Sequence, residues 1–210
     1  MKKICIVGTH GCGKSTLTYM LGTYYKKKNV NIKIVNETAR SCPFPINENF
    51  TFPGAQWIVH AHITKELEAQ ARGYEIIITD RSPIDTIMYV MALDMERTME
   101  YYDLAYTALQ WMDSYDIVVW VSRIAEVACE DGTRSTDPKF RMKVHDKFTE
   151  FFDKENRLHV IKVSQSEIFG GNDVCLDIDD YGATRGVAKY KGPVGRVPPV
   201  GCNGFGVVRS

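Results

Sequence analysis

The chain of 210 residues is long enough to bury one good core, so a single domain, with room for an appendage, is expected. Its 26 Lys and Arg balance 26 Asp and Glu, and this zero formal charge argues against a dedicated nucleic-acid binder while leaving room for a local basic patch. No apolar run approaches the ~20 residues that cross a bilayer, and Met1 leads straight into an apolar strand without a signal-peptide pattern, so a cytoplasmic protein with no membrane partner is expected.

The first element is Ile4-Cys5-Ile6-Val7, a short apolar run. Leu17, Met20, Leu21 and Tyr24 then recur at helical spacing. Between them Gly8-Thr9-His10-Gly11-Cys12-Gly13-Lys14-Ser15-Thr16 fits G-x-x-x-x-G-K-[ST]. Strand, glycine loop and helix in that order predict a P-loop, in which Gly11 and Gly13 let successive backbone N–H groups face one phosphate and the helix adds its positive end. The nucleotide-binding residues are therefore Gly8, His10, Gly11, Cys12, Gly13, Lys14, Ser15 and Thr16. Lys14 reaches the β- and γ-phosphates, and the Ser15 hydroxyl ligates Mg²⁺. A guanine nucleotide would ask for an Asn/Thr-Lys-x-Asp type loop, which the sequence lacks, so ATP is the expected nucleotide.

Lys26-Lys27-Lys28 closes the helix, where cations suit its C-terminal end. A second strand near 31–36 ends at Glu37. A carboxylate there can accept the proton of an attacking hydroxyl, or stand solvated at a strand end. Arg40, one turn on, either holds substrate phosphate or pairs with Glu37. The loop from Ser41 to Pro53 is rich in Pro, Asn and Phe. Helical spacing resumes through Trp57, His60, Ile63 and Leu67 to Ala71, and Gly73 stops it. Phe50, Phe52, Gln56 and Trp57 can stack on and hydrogen-bond a nucleobase or nicotinamide ring, or simply pack this helix. His60 and His62 lack a third ligand nearby, which argues against a metal site.

Glu75–Thr79 is an apolar run ending at Asp80. A carboxylate at that strand tip holds or orients Mg²⁺ beside Ser15, or caps the helix that Asp80-Arg81-Ser82-Pro83 begins. Arg81 can neutralise a phosphoryl group in transfer or form a structural ion pair. Asp85 can bind a sugar hydroxyl or cap its helix. Helices are expected over 84–93 and 97–113, the second with Met99, Tyr102, Tyr106, Leu109 and Met112 as its core stripe. Asp116–Val121 is another strand. The charged stretch 122–136, with Gly132 and Arg134, then leads into a helix over about 137–156 that carries Arg141. These residues suit a lid closing on phosphates, with Arg134 as a catalytic candidate and Arg141 as a substrate contact; a charged surface connection is the other reading. Leu158–Val163 is the last strand.

Strands alternating with helices predict a parallel α/β sheet with right-handed crossovers, whose ligands bind at the carboxyl ends of the strands. The P-loop, Glu37, Asp80 and Ser122 all follow strands and so share that edge. The expected domain spans residues 1–166. Residues 167–210 form a Gly/Pro-rich tail, with no acid beyond Tyr181 against Arg185, Lys189, Lys191, Arg196 and Arg209, and it reads as an irregular appendage. The six cysteines show no C-x-x-C spacing and read as reduced thiols.

Gly8–Thr16, Asn36-Glu37-Thr38-Ala39-Arg40, Asp80-Arg81-Ser82 and Asp131-Gly132-Thr133-Arg134-Ser135-Thr136-Asp137 together resemble the small P-loop ATPase/kinase group that includes ribosylnicotinamide-kinase domains and is close to deoxynucleoside and nucleoside-monophosphate kinases. The likeness spans about residues 3–164. It implies a three-layer α/β/α sandwich on a five-stranded parallel sheet of order 2-3-1-4-5, with Glu37 as general base. The expected activity is an ATP- and Mg²⁺-dependent kinase acting on a nucleoside, nucleotide or related small molecule. Two alternatives stand beside it: a kinase for a hydroxymethylated base in DNA, contacted by the basic tail, and a regulatory ATP-binding switch without a small-molecule acceptor. Oligomeric state stays open between monomer and homodimer.

Overall fold

The computed structural model describes residues 1–95, 98–122, 135, 137–156, 158–164 and 168. Strands β1 (Lys2–Val7), β2 (Ile32–Val35), β3 (Ile76–Asp80), β4 (Ile117–Val121) and β5 (Val160–Val163) alternate with helices α1 (Lys14–Lys27), α2 (Phe52–Ala71), α3 (Pro83–Ala92), α4 (Met99–Met112) and α5 (Pro138–Lys154). The five strands form one sheet of order β2-β3-β1-β4-β5, every neighbouring pair parallel. The strand order and fold class inferred from the resemblance are both observed.

The central strand accounts for the layering. Because side chains alternate across a strand, β1 sends Cys5 and Val7 to one face, with Val118 and Trp120 of β4 and the apolar sides of α2, α3, α4 and α5. Ile4 and Ile6 go to the other face, with Ile78, Val119 and α1. Both faces being covered, the strands read as nearly unbroken apolar runs, as expected of a buried parallel sheet. Ile6 pairs with Asp80 on one side and with Val119 on the other, so β1, β3 and β4 end level and their following loops meet at one edge.

Two expectations change. Helix α2 starts at Phe52, inside the segment read as loop: the Thr51 side chain accepts from Gly54 N at 3.3 Å and Pro53 occupies the first turn, a cap signal hidden among neighbouring turn residues. In α4 the buried face is Tyr101, Leu104, Ala105, Ala108 and Met112. Of the expected stripe only Met112 is fully buried, while Met99, Tyr102 and Tyr106 stand exposed. The helix carries apolar residues nearly all round, so spacing alone selects no face. Ala105 and Ala108 decide it, their small side chains being the ones turned inward against the rest of the core. The region 123–134, residue 136 and the tail from 169 onward lie outside the described residues, and so does Arg134.

Candidate active site

The P-loop follows β1 without slack. Gly8 has φ +141°. A Cβ there would lie 2.8 Å from the Val121 carbonyl oxygen at the end of β4, so no other residue fits. Gly13, the residue capping α1, sits at φ 97° and ψ 11°, the left-handed conformation that turns the loop into the helix. Lys14 is the first residue of α1; its buried ammonium donates to the Thr9 carbonyl oxygen at 2.7 Å, across the loop's own mouth. Cys12 is buried beneath the loop, and Thr16 points to solvent.

Ser15 Oγ donates to Asp80 Oδ2 at 2.5 Å, which joins the loop to the tip of β3. Hydroxyl and carboxylate oxygens at the foot of a phosphate cradle are the donor set a hard divalent cation takes. With the φ-positive glycines and Lys14, they fit Mg²⁺ and a nucleoside triphosphate.

Beside this half-site lies a cleft that opens to solvent. Its polar wall carries His10, Glu37, Arg40, Arg81 and Asp85, and its apolar wall Ile46, Phe50, Ile58 and Tyr89. Arg81 organises it. Its backbone holds φ 80°, an uncommon conformation for a residue with a Cβ and of the kind that gathers at functional sites. Its N–H donates to the Ile6 carbonyl at 2.9 Å. Arg81 Nε donates to Glu37 Oε1 at 2.5 Å, a second guanidinium nitrogen lies 3.6 Å from Asp85 Oδ1, and the guanidinium sits 5.5 Å from the Tyr89 ring centroid. On its other oxygen, Glu37 accepts from Arg40 Nε at 3.1 Å.

The two carboxylates touching Arg81 are driven apart. Burial would raise the Glu37 pKa, but Arg81, Lys14 and Arg40 outweigh it and hold the group down at about 2. Asp85 is pushed up by deeper burial, against the opposing pull of Arg81 and Lys14. Asp85 also has a structural task. It accepts from Ser82 N at 2.9 Å and Ser82 Oγ at 3.1 Å, capping α3, and its other oxygen accepts from Gly8 N at 3.3 Å. The capping role is thus observed, on a side chain that also lines the cleft.

His10 reaches across the boundary between the two half-sites. Its Nδ1 lies 2.8 Å from the Tyr89 hydroxyl, and its ring stacks near Phe140 of α5. Arg141 is buried in α5, outside the cleft lining, and its carbonyl accepts from the P-loop Thr9 hydroxyl at 3.3 Å. Ser135 Oγ donates to Glu48, so the end of the charged stretch rests on the loop that follows β2.

Three expected substrate contacts lie elsewhere. Gln56 and Trp57 line a separate shallow groove with His60 and Lys65. Phe52 is half-buried against the core. The helical period is the reason: one residue rotates the side chain by about 100°, so Ile58 and, one turn later, His62 face the cleft while Trp57 does not. Besides these two, Ile46, Thr86 and Tyr89 are cleft residues that the sequence reading left without a role. The available signal was i,i+4 spacing, Ile58 to His62 on α2 and Asp85 to Tyr89 on α3, in phase with Arg81.

Comparison with known proteins agrees with this architecture. A model of the AAA_28 family, described as an AAA domain, matches residues 3–168. No curated protein sequence matches the chain. Among solved structures, deoxyadenosine kinase from M. mycoides with bound dATP is similar at 20% identity and a TM-score of 0.55, covering 79% of this chain and 92% of that one. Thymidylate kinase from Ehrlichia chaffeensis is similar at 18% identity and a TM-score of 0.54, covering 78% and 86%. Likeness at this identity shows a shared fold, and the family match goes further: the chain belongs to the AAA_28 family of AAA domains, built on the fold of P-loop nucleoside and nucleotide kinases.

Proposed function

We propose that the protein is an ATP- and Mg²⁺-dependent phosphotransferase that passes the γ-phosphoryl group to a hydroxyl or phosphate of a nucleoside, nucleotide or related small molecule. The observation that carries this reading is Glu37: a carboxylate clamped between Arg81 and Arg40, in an apolar-walled cleft beside the P-loop. Such a cleft favours this reading over a nucleotide switch without an acceptor. The deoxyadenosine kinase and thymidylate kinase folds support the same class.

The P-loop amides and Lys14 hold the triphosphate. Ser15 and Asp80 hold Mg²⁺, which when bound neutralises phosphoryl charge. Phe50, Ile58 and Tyr89 bury the flat face of the acceptor. Glu37 Oε accepts the acceptor's proton, and Arg81, already fixed by Glu37 and Asp85, meets the charge that develops on the transferred group. Arg40, at the solvent edge of the cleft, holds an acceptor phosphate where there is one. Arg134, Arg141 and the 123–136 stretch keep their proposed part as the closing side.

The test is ATP turnover, with and without Mg²⁺, against a panel of nucleosides, nucleoside monophosphates and nicotinamide riboside. Mg²⁺-dependent ADP formation that one acceptor class stimulates, with a phosphorylated product, is expected. Turnover indifferent to every acceptor overturns the kinase reading in favour of a switch. Asp80→Asn then separates metal from base, raising the Mg²⁺ requirement with little change in ATP affinity.

A further inference from the structure

Beneath the cleft lies a buried polar chain that the proposed chemistry does not use. Lys3 of β1 and Glu66 of α2 form an ion pair at 2.6 Å with side chains 2% and 0% exposed. Burying such a pair costs several kcal/mol per ion, and apolar replacement is often neutral or stabilising, so stability alone does not explain it.

Glu66 Oε2 takes Lys3 and, at 3.1 Å, Trp111 Nε1; Oε1 takes the Tyr115 hydroxyl, and His62 Nε2 lies 3.0 Å from it as an ion-pair contact without hydrogen-bond alignment. Lys3 also donates to Ser114 Oγ at 2.7 Å and lies over the Trp111 and Tyr115 rings. Burial works to raise the Glu66 pKa, but His62 and Lys3 prevail and lower it, so the group is an acceptor-only carboxylate. The carboxylate 3.0 Å away favours the tautomer of His62 with the proton on Nε2. In that tautomer the Nδ1 lone pair faces Thr38 Oγ1 at 3.2 Å. Lys65 Nζ donates to the same hydroxyl oxygen at 3.4 Å, and with Nδ1 bare the Thr38 proton is directed at it. Thr38 precedes the 3-10 turn Ala39–Ser41 and sits between Glu37 and Arg40. Thr38 and His62 both line the cleft.

We propose that Lys3–Glu66–His62 is a positioning chain, with His62 as its terminal positioning residue: by gripping the Thr38 hydroxyl it sets the turn that aims Glu37 and Arg40 at the acceptor. The chain begins on β1, the strand that enters the P-loop, so the acceptor turn is referenced to the strand that places the donor. A shift of about 1 Å in such alignment can cost ~10²-fold in rate, which is reason enough to retain a costly buried pair.

This inference rests on the kinase reading for its activity readout. The experiment compares Thr38→Val, which keeps shape and removes the hydroxyl, with Thr38→Ser, which keeps the hydroxyl, and with His62→Phe. Expected is a fall in acceptor kcat of roughly 10–10²-fold in Thr38→Val, with ATP affinity unchanged and rescue in Thr38→Ser. The Thr38→Val/His62→Phe double variant should be no worse than either single, as members of one network behave. If His62→Phe does not fold, the Thr38 pair decides alone. Wild-type kcat/KM in Thr38→Val, or equal damage in Thr38→Ser, overturns the proposal. If wild-type protein phosphorylates nothing, the kinase reading fails, and ¹⁵N-histidine NMR still judges the chain. His62 should show a protonated Nε2 and an unprotonated Nδ1 whose shift moves in Thr38→Val; a protonated Nδ1 as the sole tautomer overturns it.

Discussion

The proposed donor half of the site and the proposed acceptor half are built by different means. The donor half is one continuous segment, Gly8–Thr16, in which backbone conformation carries the chemistry: three φ-positive glycines, a helix start and one lysine. The acceptor half is made of side chains from the turn after β2, from α2 and from the β3–α3 corner, joined by Arg81. A backbone-built site tolerates little substitution but announces itself in sequence. A side-chain site is spread over distant segments and is set by helix phase, so it can change acceptor without changing fold.

The sharpest test of the division is to disable each half separately. Lys14→Ala removes the cation of the donor cradle, and loss of one preorganised stabilising donor costs about 10²–10³ in kcat. ATP turnover should fall by that order; turnover near wild type breaks the donor assignment. Glu37→Gln should lower kcat by ~10²–10⁴-fold if Glu37 takes the acceptor's proton, with calorimetric ATP affinity intact. Loss of ATP binding in that variant would mean that the halves are not separable.

Glu37 also carries a pH signature. Its folded pKa is lowered from the ordinary 4.5 to about 2 by Arg81, Lys14 and Arg40 against the cost of burial. A depressed folded pKa contributes stability that is fully present above 4.5 and is lost as pH falls through about 2. Acid unfolding of wild type should therefore be steeper across that window than that of Glu37→Gln. The kcat/KM profile should show no inflection from Glu37 near neutrality; one that vanishes in Glu37→Gln would mean the clamp opens before chemistry.

The donor half was legible because its constraints are local. At Gly8 the local constraint, φ +141°, is reinforced by a long-range one, the Val121 carbonyl 2.8 Å from an added Cβ. Gly8→Ala should cost about 1–3 kcal/mol, with Tm falling roughly 2–4 °C per kcal/mol. Gly73, at φ +71° with nothing within 4 Å of an added Cβ, carries the strain without the clash and should lose less. The sheet order was legible too, through the resemblance. The acceptor half was only partly so. Glu37, Arg40, Arg81 and Asp85 sit at strand ends and beside caps, where position follows from topology. Ile58, His62 and Tyr89 do not, because their inclusion depends on the rotation of α2 and α3, and the true start of α2 at Thr51–Phe52 was masked by loop-like neighbours. The α4 stripe failed for the same reason: a nearly all-round apolar helix has no phase until small residues meet a neighbour.

Helix phase makes the last and smallest prediction. Gln56 is exposed and belongs with Trp57 to the outer groove, whereas Phe50 is buried and lines the cleft. Gln56→Ala should act as an ordinary surface change, within about ±0.5 kcal/mol, and leave the acceptor KM within roughly threefold of wild type. Phe50→Leu keeps apolar volume but removes a flat face, so it should raise that KM by more than Gln56→Ala while leaving the ATP KM alone. If Gln56→Ala damages acceptor binding and Phe50→Leu does not, the acceptor lies in the outer groove, 100° around the helix, and the cleft beside Glu37 has been assigned the wrong occupant.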